Sequence, residues 1–122
     1  MEYYGYAGKI LYVDLGRREV RKELLAPELI EKFLGGWGIG WHLMAENLSA
    51  GIDPLSPHNP LVINSGVFCG TPIPTSGKFQ MVTKMTNPGN PEMDRYTVAA
   101  GSSGSKQFAK MLKLAGYDHL VI

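Results

Sequence analysis

Cysteine is nearly absent from this chain: Cys69 stands alone among 122 residues. A single thiol excludes an internal disulfide and fits a reducing compartment. It also excludes a cysteine-ligated iron–sulfur cluster or a structural zinc site built from this chain alone. Long apolar runs are missing too, the uninterrupted ones extending over a handful of residues against the ~20 that span a bilayer. The segment Met1-Glu2-Tyr3-Tyr4-Gly5-Tyr6 has no basic region followed by an apolar core, so it does not read as a signal peptide. Neither sign of charge predominates: twelve Lys and Arg face eleven Asp and Glu, a formal +1. No strong field recruits nucleic acid or an anionic membrane, and a cytoplasmic location is the expectation.

Recognisable catalytic constellations are lacking as well. His42, His58 and His119 show no i,i+4 pairing and no nearby carboxylate–cysteine pattern, which argues against a metal site and for structural or exposed roles. Asp53, Asp94 and Asp118 stand in turn contexts, where local backbone hydrogen bonding accounts for Asp. No Ser–His–Asp or paired-carboxylate arrangement can be placed, and no residue reads as catalytic.

What is present suits one globular domain, residues 1–122, able to bury roughly two thirds of its unfolded surface. Ile10 to Leu15 alternates as a strand, Gly16-Arg17 turns, and Glu19 to Leu24 returns, giving an N-terminal hairpin. Pro27 opens a helix whose Leu29, Ile30, Phe33 and Leu34 recur at helical spacing, and Gly35-Gly36 stops it. A second helix is expected from Ile39 or Gly40 to Asn47, with Leu43 and Met44 inward. Asp53 to Pro60 carries three prolines and must be an ordered loop. Leu61-Val62-Ile63 and Phe79 to Met85 read as strands, Thr86 to Asp94 as a loop and Tyr96 to Ala99 as a further strand. A last helix, capped by Ser102 or Ser103, presents Phe108, Met111, Leu112 and Ala115 as one apolar stripe and ends at Gly116. Leu120-Val121-Ile122 then begins a strand at the chain end, an odd place for a natural terminus, so a longer parent sequence is expected. The order of elements indicates an α+β fold, a β-rich mixed sheet with helices.

The most informative segment runs from Ser65 to Lys78, Ser-Gly-Val-Phe-Cys-Gly-Thr-Pro-Ile-Pro-Thr-Ser-Gly-Lys. Proline fixes φ and glycine permits φ > 0, so it holds a specific irregular shape. Its amides, hydroxyls and terminal lysine are equipment for a phosphate-rich ligand. It is not a nucleotide-triphosphatase loop, because Pro72 and Phe79 stand where that motif needs glycine and Ser or Thr. Lys78 remains a candidate phosphate partner, against the plainer role of a solvated strand-edge lysine. Gly35-Gly36-Trp37-Gly38-Ile39-Gly40 resembles a dinucleotide fingerprint but follows a helix and has Trp41 at the last glycine position. A helix stop with close backbone packing is the favoured explanation, backbone contact with a ligand the alternative. Ser102, Ser103, Gly104 and Ser105 lead towards the last helix, where free amides and hydroxyls suit an anion, or ordinary capping.

Several segments, in order, resemble the N-terminal domain of the aldehyde ferredoxin oxidoreductase family of tungsten enzymes. They are Gly5 to Leu15, Phe33 to Gly38, Asp53 to Pro57, Asn59 to Leu61, Gly70 to Phe79, Val82-Thr83-Lys84 and Leu114 to Asp118, which together cover essentially the whole chain. The resemblance implies the first half of an internally duplicated α+β base on which a tungsten (or molybdenum) bis-pyranopterin cofactor rests. Lys78, Ser102, Ser103, Gly104 and Ser105 would touch the phosphates and pterin edges, with no metal ligand from this chain. Lys78 stands where the family commonly has arginine, keeping the charge but losing the bidentate fork, and Trp37 replaces the arginine of a Gly-Arg-Gly. A [4Fe–4S] cluster is implied only in later domains. The implied partners are the remainder of the enzyme chain, ferredoxin or an iron–sulfur partner subunit, and a homodimer. The implied reaction is oxidation of aldehydes to carboxylic acids with ferredoxin as acceptor. The tungsten subunit of a benzoyl-CoA-reductase-like enzyme, and a cofactor-free interaction module of the same fold, stand as alternatives.

Overall fold

The computed structural model describes residues 3–87, 89–90, 92–93, 99–104 and 107–122. Lys9–Asp14 (β1) and Glu19–Leu24 (β2) form the expected hairpin, in register from Lys9↔Leu24 to Asp14↔Glu19. The Asp14 carboxylate accepts the Arg17 N–H at 2.8 Å and braces the turn. β2 lies at the sheet edge and is exposed along most of its length, its charges discouraging pairing with another chain. Pro27–Lys32 (α1) starts on a proline whose fixed φ suits the first turn. Trp37–Asn47 (α2) begins directly after Gly36, which takes φ +76° between the helices.

Leu61–Ser65 (β3), Phe79–Thr83 (β4), Ala99–Ser103 (β5), Phe108–Leu114 (α3) and His119–Val121 (β6) complete the chain. The strand order is β2-β1-β6-β3-β4-β5. β6 runs parallel to β1 and antiparallel to β3, so the sheet is mixed and the fold α+β, as expected. Alternation places Ile10, Val62, Val82 and Val121 on one face, where Ile39, Leu43 and Met44 of α2 close over them together with Leu25. Each such buried side chain contributes about 1.5–3 kcal/mol, which makes this face the main core. The Pro-rich loop is ordered by the end of β4: Asn59 Nδ2 donates to the Pro54 and Lys84 carbonyls, both at 2.8 Å. Lys84, buried, donates its ammonium to the Ile52 carbonyl.

Some expectations need correction. Ser102 and Ser103 do not cap a helix; they lie in β5, opposite Gln80 and Phe79 of β4. A ladder against β4 satisfies a row of backbone groups, whereas a cap satisfies one or two. α3 begins later, at Phe108, and its N-cap Gln107 makes no side-chain cap bond. Its stripe is only partly covered: Phe108, Met111 and Ala115 are exposed and Leu112 is half-buried, because the helix seats itself through buried Ala109, whose small size permits close approach, and Phe108 meets Phe79 edge-on. Of the strand expected over Tyr96 to Ala99, residues 96–98 lie outside the described residues, as do Pro88, Pro91, Asp94 and Ser105. His42 does make an i,i+4 contact, with Glu46 at 3.2 Å, while stacking on Phe33.

Asp53 behaves as a turn aspartate, accepting the Leu55 N–H. Asp118 does not. Its carboxylate accepts the N–H groups of Ala7 at 3.0 Å and Gly8 at 2.6 Å, and the Lys113 ammonium. Its carbonyl accepts both the N–H and the hydroxyl of Ser65 at 2.9 Å, and its own N–H donates to the Lys9 carbonyl. Removing one member of such a buried charged pair costs about 3–5 kcal/mol. Asp118→Ala is therefore expected to lower the unfolding free energy by about that amount in urea titrations. A loss below about 1 kcal/mol would contradict this account.

Candidate functional site

The loop from Gly66 to Lys78 is shaped by its own hydrogen bonds. The Cys69 N–H donates to the Gly66 carbonyl and the Thr71 N–H to that of Phe68. The hydroxyls of Thr71, Thr75 and Ser76 donate to the carbonyls of Phe68, Pro74 and Ile73, at 2.7–2.8 Å. Thr75 takes φ +62°, a conformation these local bonds help to hold. Hydroxyls that looked available to a phosphate are thus committed to the loop. The cation remains: Lys78 is exposed, and no described carboxylate pairs with it.

Sheet register then brings together segments far apart in the chain. Phe79 pairs with Ser65 on one side and with Ser103 on the other. Lys78, Gly66 and Gly104, each one residue beyond these pairs, therefore share one corner of the sheet. α2 contributes Gly36 to the same corner: a Cβ there would stand 2.9 Å from Gln80 Oε1 and 3.6 Å from the Gly66 Cα. Gly66 and Gly104 have open space where a Cβ would project. The first turn of α2 holds no acidic residue and its N-cap offers no side-chain bond, so its positive end adds to the charge of Lys78. Of the residues anticipated from sequence, Lys78 and Gly104 meet here, with Ser102 and Ser103 next to them in β5. Ser105 lies outside the described residues.

A buried polar rung runs into this corner. His119 of β6, Asn64 of β3 and Gln80 of β4 are directly opposite one another in the ladder. His119 Nδ1 lies 2.8 Å from Asn64 Oδ1. A carboxamide oxygen only accepts, so Nδ1 carries the hydrogen. Burial drives the His119 pKa down from 6.5 to about 4, opposed by the Asp118 carboxylate and assisted by the Lys113 ammonium. The ring is therefore neutral. Asn64 Nδ2, Gln80 Oε1 and His119 Nε2 are buried with no hydrogen-bond partner among the described residues. Gly40 makes room for this rung, since a Cβ there would lie 2.2 Å from Asn64 Nδ2. The close-packing explanation of Gly35 to Gly40 thus holds. Sequence reasoning missed Asn64 and Gln80; the available signal was a polar residue interrupting each of two apolar strands.

A depression of about 1220 Å³ lies at the other end of β3 between the hairpin and Pro57 to Leu61. It has none of the glycine walls described above, so chemistry rather than volume selects the Lys78 corner. A hollow of about 190 Å³ beside Cys69 is lined by Lys113, whose charge is already committed to Asp118.

A family profile described as "Aldehyde ferredoxin oxidoreductase, N-terminal domain" matches residues 10–122. The tungsten-containing aldehyde ferredoxin oxidoreductase of Pyrococcus furiosus is 35% identical over 119 residues, covering 98% of this chain and 18% of that protein. The aliphatic sulfonate oxidoreductase WOR-like subunit of Pyrococcus furiosus is 32% identical over 122 residues, with the same coverage. The solved active site complex BamBC of benzoyl coenzyme A reductase, with 1,5 dienoyl-CoA, superposes at a TM-score of 0.83 and 28% identity, over 97% of this chain and 17% of that one. The chain spans less than a fifth of the length of these relatives.

The neutral His119 makes stability depend on pH. Its folded pKa lies below the ordinary 6.5, so its contribution is full above pH 6.5 and is lost as pH falls towards 4. Between pH 7 and 5 this removes about 2 kcal/mol. Unfolding titrations at both values should show that loss, and His119→Gln should flatten it. An equal pH slope in the two proteins would sink the assignment.

Proposed function

Because this chain belongs to the aldehyde ferredoxin oxidoreductase family, as its N-terminal domain, we propose that it is the cofactor platform of a tungsten-pterin enzyme oxidising aldehydes to carboxylic acids with ferredoxin as acceptor. The observation that carries the platform reading is the corner where Lys78 meets Gly36, Gly66 and Gly104 at the positive end of α2. These residues fit a flat phosphorylated heterocycle: Gly66 and Gly104 leave open space for backbone approach, and the Lys78 ammonium is exposed with no described carboxylate paired to it. When bound, the tungsten pterin group supplies two-electron redox chemistry. Lys78 would pair with a phosphate, and the amides around Gly36 and Gly104 would receive polar edges. Cys69 is alone and buried, so a [4Fe–4S] cluster would be ligated by cysteines outside this chain. The remainder of the enzyme, with ferredoxin or an iron–sulfur subunit, would complete the electron path.

A second reading, reduction of an aryl-CoA thioester on the same platform, is supported by the likeness to the benzoyl coenzyme A reductase complex. Assays of the full-length protein with aldehydes and with aryl-CoA thioesters separate the two.

A charge-assisted contact is worth about 1.5–3 kcal/mol, or roughly 10- to 100-fold in affinity. Lys78→Ala in the full-length enzyme, purified anaerobically, should hold much less pterin and tungsten per chain, whereas Lys78→Arg should hold the wild-type amount. Unchanged pterin in Lys78→Ala would remove Lys78 from the site.

A further inference from the structure

We infer that Gln80 is a second cofactor-contacting residue, and that the rung from His119 through Asn64 sets which way its carboxamide points. The inference rests on the platform reading. Gln80 is the second residue of β4, and Lys78 immediately precedes that strand. The Gln80 side chain lies on the face covered by α2, where Gly36 leaves room for its amide.

The direction of the rung follows from the Asn64 amide. Its Oδ1 faces His119 Nδ1 at 2.8 Å, so the neutral ring donates from Nδ1 and Asn64 Nδ2 turns away from the ring. Among the described residues, Asn64 Nδ2 is then a buried donor without a partner, and Gln80 Oε1, on the directly opposed residue, a buried acceptor without one. Leaving either group unpaired is unfavourable, because each has given up its water without replacement. Direct opposition in the ladder puts donor and acceptor within reach of one another once the Gln80 side chain turns towards Asn64. Every link then donates in the same sense, from His119 to Asn64 to Gln80. The remaining Gln80 group, the Nε2 amide, becomes a donor presented at the corner beside Lys78. A donor next to a cation selects oxygen acceptors, the kind found on a phosphate and on the carbonyl edge of a pterin. Asn64 and His119 are positioning residues in this scheme, acting on the ligand through Gln80.

The test uses full-length protein purified anaerobically, with pterin read by fluorescence after oxidation, tungsten by mass spectrometry, and melting temperature recorded after cofactor removal. Gln80→Met keeps size and removes both polar groups; Gln80→Glu keeps shape but only accepts at neutral pH. Both are expected to hold several-fold less pterin per chain, with apo melting temperatures close to wild type. Gln80→Asn, which retains a donor, should recover part of the loss. Wild-type pterin in either Met or Glu variant overturns the contact, and if Lys78→Ala still loses pterin, the platform reading stands without it. Should one variant fail to fold, the other decides. A wild-type protein without pterin overturns both readings together.

Discussion

One buried carboxylate ties the ends of this fold to its middle. Asp118 gathers the Ala7 and Gly8 amides before β1, the Lys113 ammonium from α3, and Ser65 at the end of β3. That junction adds a charged anchor for α3 and a side-chain brace to the ladders that set the register of β6 between β1 and β3. The arrangement is costly to desolvate, so every lone pair must find a donor. Here backbone amides and one lysine provide them. The short strand that follows Asp118 then delivers His119 to its place opposite Asn64.

Much of the fold was legible because local signals agreed with the tertiary result. The hairpin, the proline-led α1, the inward Leu43 and Met44 of α2, and the apolar run of β3 all carry their own pattern. β5 was not legible. Ala99-Ala100-Gly101-Ser102-Ser103 has little strand propensity of its own, and the open edge of β4 makes it a strand. The α3 stripe misled for the converse reason: helical spacing identifies an apolar face but not whether the chain at hand covers it. Asp118 reads as a turn residue in the sequence, which shows only its near neighbours, whereas its backbone partners are 110 and 111 residues away.

The site shows the same division. Lys78 and the Ser102-to-Gly104 stretch each carried a signal, yet nothing in the sequence placed them side by side; the β4–β5 register does that. The glycines of Gly35 to Gly40 also find their meaning only in three dimensions. Gly36 opens towards Gln80 and Gly40 towards Asn64, so one helix face is pared back to admit two carboxamides. Likewise, Asp53 to Pro60 and Val82-Thr83-Lys84 form one structural unit, since Asn59 and Lys84 clasp each other across the loop.

The central position of β6 has a consequence for how the protein is made. Two sub-assemblies, the β1–β2 hairpin and the β3–β4–β5 ribbon, consist of strands close in sequence and can form early. They cannot join until His119–Val121 emerges and inserts between them, a slow non-local step. Until then β1 and β3 each carry an open edge, and the nascent chain is at its most vulnerable to misassembly. Lys78, Gly66 and Gly104 belong to the early ribbon, but the histidine of the rung follows only with β6. Synthesis therefore builds the corner before it gives the corner its polarity.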